Sequence, residues 1–203
     1  MHDAVQGIRF QTVAALIRNL LPDGVRTQMY SQDILTFEIA GGAAETDVGA
    51  LMFYYPDLGG SDQRLATWDQ IKGLVAELAT VEIAVTAPAT AGDWSAGTAL
   101  NTTFDLLKGN QDYAILGYQT LGAVAAVGIK GSDTSNLRVG GPGTTESIET
   151  RDWFKTLAEA SGVAAIPVIN QANRASTLVH VANATAAGTT VDLIVARLAS
   201  KFS

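Results

Sequence analysis

The sequence contains no cysteine and two histidines, and only 16% of its 203 residues are charged, against about 25% in an average soluble domain. The missing thiols exclude disulfides, thiolate metal sites and a cysteine nucleophile together. His2 and His180 are the only imidazoles, so acid–base chemistry near neutral pH would rest on one terminal residue and one residue in an apolar run. With only five lysines, the surface must be wetted by Thr, Ser, Asn and Gln or covered by neighbouring molecules.

Clustered positive charge is also lacking. Thirteen basic residues stand against twenty acidic ones, for a net charge of −7, and the basic residues are scattered singly. Binding to nucleic acid by counterion release needs clustered Lys and Arg, so no specific nucleic-acid partner is expected. Residues 1–6 lack the basic start and small-residue cleavage site of a secretion signal. The longest uncharged apolar stretch, residues 113–129, is interrupted by Gly117, Gly122 and Gly128 and falls short of the ~20 residues a membrane helix requires. It reads as two buried strands and a turn, and no membrane association is expected.

Hydrophobic periodicity supplies the architecture. Val5, Ile8, Val13, Leu16, Ile17 and Leu20 form an apolar stripe that predicts a helix over 4–21, an arm or packing helix stopped by Pro22. Extended patterns follow at 25–30, 34–39 and 48–55. Thr67-Trp68-Asp69-Gln70 has the form of a capping box, and Trp68, Ile71, Val75 and Leu78 then recur at helical spacing, predicting a second helix to about Ala79. Val81, Ile83 and Val85 alternate with polar or small residues as in a half-buried strand. A surface loop is expected over 87–98, with Trp94 as its one large apolar residue, packed back onto its own domain in the favoured reading and an interface anchor in the alternative.

Further strands are expected at 100–106, 113–118, 123–129, 164–169, 177–181 and 190–198, and a third helix over 150–161 with Gly162 as its stop. Strands in groups, with single helices between them, do not make the regular alternation of a doubly wound sheet. The pattern implies one mainly β domain over 1–203, a β-sandwich or jelly-roll-like unit with about three inserted helices; an α+β fold is the alternative.

Chemistry-bearing motifs are few. His180 has no Gly-x-Ser-x-Gly elbow to join it to a nucleophile, and a strand histidine bonded to a nearby carbonyl or water is the simpler expectation. The Gly140-Gly141-Pro142-Gly143 run lacks the Gly-Lys-Ser/Thr ending of a phosphate loop, and Pro142 removes one donor, so it reads as a surface turn leading to the third helix. Asp133, Ser135 and Asn136 resemble part of a calcium loop without its glycine and terminal glutamate. Glu146, Glu149 and Asp152 most simply complement the dipole of the third helix. No catalytic, cofactor-binding or metal residue is assigned, and no cofactor or enzymatic activity is expected.

The stretch Asp112-Tyr-Ala-Ile-Leu-Gly-Tyr118, the loop from Gly131 to Gly143 and the run Ile166-Pro-Val-Ile-Asn-Gln-Ala-Asn-Arg174 resemble capsid-associated bacteriophage virion proteins. So does the low-charge, Ala-, Gly- and Thr-rich character of the chain. The resemblance implies a coat or decoration (cement) protein of the virion, assembled in the host cytoplasm, whose partners are copies of itself and other shell proteins. The chain is short for the tailed-phage major capsid fold, which favours a jelly-roll coat subunit or a cement protein. The competing readings are a carbohydrate- or ligand-binding module using Trp94, Tyr54 or Tyr55, and a hydrolase whose carboxylates converge only in the fold.

Overall fold

The computed structural model describes residues 64–90, 92–101, 109–122, 124–143, 150–162, 164–182 and 188–202. The helix expected over 4–21 and the strands expected at 25–30, 34–39 and 48–55 lie outside these residues. Nine strands are described: β1 (Leu65–Ala66), β2 (Val75–Val85), β3 (Thr98–Ala99), β4 (Asp112–Thr120), β5 (Ala126–Lys130), β6 (Val139–Pro142), β7 (Ile166–Asn170), β8 (Leu178–Ala182) and β9 (Thr189–Leu198). Two α-helices, α1 (Trp68–Ile71) and α2 (Trp153–Ser161), and a 3-10 helix (Gln171–Ser176) complete the set.

The strands form two sheets, ordered β1-β7-β4-β9-β2 and β3-β8-β5-β6, and every pairing is antiparallel. The fold is therefore mainly β, with a sandwich-like arrangement of two sheets. One apolar cluster runs through both, taking in Val81, Ile83 and Val85 of β2, Ile115 and Tyr118 of β4, Val127 and Ile129 of β5, Val179 and Val181 of β8, and Val191, Leu193 and Val195 of β9. Burial of each such side chain contributes on the order of 1.5–3 kcal/mol.

The capping box at Thr67 forms as its sequence implies: the Gln70 N–H donates to Thr67 Oγ1 at 3.3 Å, and the Thr67 N–H donates to Gln70 Oε1 at 2.8 Å. The helix it starts is only α1, however, and the expected continuation to Ala79 is instead the first half of β2. Val75 and Leu78 satisfy helical spacing, but β9 offers an antiparallel partner from Leu198 to Thr189, broken only by the irregularity at Val75/Glu77. That ladder, with the buried alternation Val81, Ile83 and Val85, outweighs the local pattern and leaves Leu78 62% exposed.

Of the strand expected over 100–106, only Leu100 and Asn101 are described, and neither is extended. The Leu100 N–H reaches the Arg174 and Thr177 carbonyls, which draws the chain off the β8 ladder after Ala99. The glycine run also departs from expectation. Residues 139–142 form β6, paired with β5 through Val127↔Gly141 and Gly128↔Gly140, rather than a surface turn. A Cβ on Gly140 would run into the Val127 carbonyl, and one on Gly141 into the Trp153 indole and the Tyr118 hydroxyl. Close packing, not anion binding, accounts for these glycines.

Helix α2 starts within the range read from the sequence and stops at Gly162, whose φ of 66° is the left-handed conformation that favours glycine. Its Trp153, Phe154 and Ala158 are buried. Phe154 meets Tyr118 edge-on at 5.9 Å, and the Trp153 indole N–H donates to the Gly140 carbonyl at 3.2 Å. Among the described residues, no helix is long and apolar enough to cross a membrane.

Substituting Gly141→Ala places a methyl group where Trp153 and Tyr118 already meet, so a loss of about 1–3 kcal/mol is expected from overpacking. Urea denaturation checks this, and a midpoint equal to that of the wild type would contradict it.

Candidate functional site

Two polar clusters interrupt the apolar interior. The first gathers at one end of the five-stranded sheet. Asp112, the first residue of β4, is 1% exposed. Arg64, just before β1, grips its carboxylate with two bonds, Nη1 to Oδ1 at 3.1 Å and Nη2 to Oδ2 at 2.6 Å. Asn170 Nδ2 donates to Oδ1 at 2.6 Å and the Phe202 N–H to Oδ2 at 2.8 Å. These four donors fill the acceptor positions of the carboxylate, leaving none for a metal or a substrate proton.

Burial by itself raises the Asp112 carboxyl, but Arg64, the Phe202 N–H and Asn170 outweigh it and hold the group below the usual carboxylate range. The same ion pair raises the Arg64 guanidinium despite its partial burial. Arg64 also donates to the Phe202 carbonyl at 2.8 Å, so the cluster ties the entry to β1, the start of β4, the end of β7 and residue 202 at one point.

Asp133 extends this cluster. Its Oδ2 accepts from the Asn170 N–H at 3.1 Å, Asn173 Nδ2 lies 3.0 and 3.1 Å from its two oxygens, and Arg64 Nη1 is 3.8 Å from Oδ1. Asp133 is buried, while Ser135 and Asn136 are exposed and sit at positive φ in the same turn. The three residues that suggested part of a calcium loop do not converge. No group of three or more His, Cys, Asp or Glu with metal-holding geometry occurs among the described residues. The cluster works as a structural clamp, which no spacing rule reveals because its members are dispersed from residue 64 to residue 202.

The second cluster lies on the four-stranded sheet. His180 of β8 is 5% exposed, and its Nδ1 is 2.9 Å from the Ser95 carbonyl oxygen. A carbonyl only accepts, so the bond assigns the proton to Nδ1. Nε2 is buried and has no hydrogen-bond partner. This is the carbonyl-bonded strand histidine that the sequence suggests. Trp94 lies beside it, bridged to Ala182, with the Arg138 guanidinium 4.3 Å from its ring centroid. Trp94 thus packs back onto its own domain and remains 37% exposed. One of its faces is taken by Arg138, which leaves less surface for stacking on a sugar.

Among the described residues, the other candidates bring no second titratable side chain to His180 or Asp112 beyond the ion-pair partners already named. Asp152 precedes α2 without a side-chain capping bond, and Glu146, Glu149, Tyr54 and Tyr55 lie outside the described residues. An open cleft lined by Gln70, Leu74, Lys201 and Phe202 offers one amine and no carboxylate. No protein-family model matches the chain, and no curated protein sequence matches it.

Asp112→Asn removes the charge opposite Arg64, and a loss of about 3 kcal/mol at neutral pH is expected, toward the low end for a broken ion pair because Arg64 is partly hydrated. The wild-type carboxyl is depressed in the folded state, so its contribution is present above about pH 4 and fades as the pH falls through the folded value. Chemical denaturation of both proteins across that range should show the gap narrowing with acid, and a gap independent of pH would contradict the assignment.

Proposed function

We propose that this chain is a structural subunit of a bacteriophage virion, a coat or decoration protein acting through contact with copies of itself and with other shell proteins. The reading extends the resemblance of the sequence to virion proteins. The observation that carries it is the character of β2. Among the described residues this eleven-residue strand is the edge of its sheet. Its only charged residues are Glu77 and Glu82, it contains no lysine or proline, and Leu78 stands out from it 62% exposed.

Glu77 is already paired with Arg197 on the neighbouring strand at 3.1 Å, which lowers the charge along the edge further. A chain that works alone blunts a long edge with lysine, proline or a strong bulge, because unpaired main-chain groups invite another strand. Here the ladder irregularity is confined to one end, at Val75/Glu77. The low charge of the whole chain supports the same reading, since contacts between copies take the place of a fully wetted surface.

Light scattering and negative-stain microscopy of the purified protein test the proposal. Closed symmetric assemblies, or binding to a preformed shell, are expected. A strictly monomeric species at high concentration that decorates no particle would sink it. Leu78→Lys should shift the assembled population toward monomer while leaving the thermal midpoint of the monomer nearly unchanged.

A further inference from the structure

Residues 94–99 run along the open side of β8 and finish the four-stranded sheet, but one rung of this ladder is made by a side chain. The Ser95 N–H donates to the Val181 carbonyl at 2.8 Å, as in an ordinary antiparallel pair. The reciprocal bond is diverted: the Val181 N–H donates to Ser95 Oγ at 3.1 Å, which frees the Ser95 carbonyl to take the bond from His180 Nδ1. The chain then bends through Gly97 at φ 90°. Gly97 lies so close to the imidazole that a Cβ there would stand 2.6 Å from Cε1 and 2.9 Å from each ring nitrogen. Beyond Gly97 the ladder resumes at Thr98↔Val179. His180, Ser95 and Gly97 together define the bulge that seats the segment.

We propose that His180 is a pH-sensitive latch, whose protonation in mildly acidic solution releases residues 94–99 from β8 and uncovers the main-chain edge of that strand. The second proton must go to Nε2, which is buried and faces no acceptor. Gly128, opposite His180 on β5, brings no charge. Lys130 of β5 and Arg138 ahead of β6 are the charges that act on the ring, and both oppose a further positive charge.

On the segment itself, Trp94, Ser95, Gly97, Thr98 and Ala99 are uncharged, and the exposed Asp93 forms no ion pair with His180. An imidazolium can be solvated only by swinging toward water, which breaks the Nδ1 bond to Ser95 and empties the seat against Gly97. Because β8 remains paired with β5 on its other side, the release is confined to the edge.

The direction of titration agrees with this geometry. Burial lowers the His180 imidazole below its usual value, the Ser95 carbonyl works against that fall, and Arg138 and Lys130 add to it. A depressed imidazole stabilises the closed segment above about pH 6.5, and this stability is lost as the pH falls through the folded value. The latch does not depend on the virion role proposed above.

Hydrogen exchange of the full chain at about pH 7.5 and about pH 5, corrected for intrinsic rates, reads the latch directly. Protection of residues 94–99 should fall roughly tenfold between the two conditions while that of residues 112–120 is unchanged. His180→Asn, which keeps an N–H donor near the position of Nδ1 and cannot titrate, should remove the pH response. His2→Asn should leave it intact. Unchanged protection of residues 94–99 in the wild type, or the same loss in His180→Asn, would overturn the proposal. If His180→Asn does not fold, the wild-type imidazole carbon resonances decide: titration of His180 in step with the opening supports the latch, and opening without it refutes it.

Discussion

Burial of β4 along almost its whole length is the constraint on which the described structure depends. Eight of its nine residues are buried, Gln119 being the exception. A strand hidden on both faces must be covered twice and can carry no unpaired charge. One cover is the segment leading into α2, where a Cβ on Gly117 would strike the Thr150 and Arg151 main chain, and the Thr150 hydroxyl donates to the Tyr118 carbonyl at 2.7 Å. On the other sheet, the Tyr118 hydroxyl donates to the Pro142 carbonyl at 2.7 Å and so ties β4 to β6. The glycines of β6, the indole of Trp153 and the ring of Tyr118 then have to fit one another, which explains why small residues sit beside the largest ones.

The buried polar groups lie where this apolar arrangement ends. Asp112 opens β4, and its charge is tolerated only because Arg64, Asn170 and the Phe202 N–H converge on it. Asp133 fixes the neighbouring turn to Asn170 and Asn173 in the same way. His180 is satisfied on one side only. Asp112 has all its acceptor positions filled, whereas His180 keeps one buried nitrogen unmatched. The first arrangement is a clamp, and the second is sensitive to the addition of a proton.

Much of the strand list was legible because two-sided burial writes itself as uncharged runs. Residues 113–118, 164–169, 177–181 and 190–198 read as strands and are strands to within a few residues, and the stop of α2 at Gly162 is visible as a glycine after an apolar stripe. Residues 72–79 carry a helical pattern yet form a turn and a strand, because Trp68, Ile71, Val75 and Leu78 fit a helical period as well as they fit that alternative. Local periodicity cannot register the partner strand β9, more than a hundred residues away. The glycine run at 140–143 is ambiguous for the same reason: a turn and a tightly packed strand use the same residue, and only the presence of Val127, Trp153 and Tyr118 separates them.

The sequence by itself determined the mainly β character, the uncharged strand runs, the absence of thiol chemistry and the position of α2, because composition and hydrophobic period are properties of adjacent residues. Tertiary structure alone decided that Arg64 meets Asp112 and that Ser95 meets His180. Those pairs lie 48 and 85 residues apart, and their meeting depends on strand order and register, which no local pattern encodes. The polar features that give the molecule its clamp and its proton-sensitive edge are therefore products of the fold.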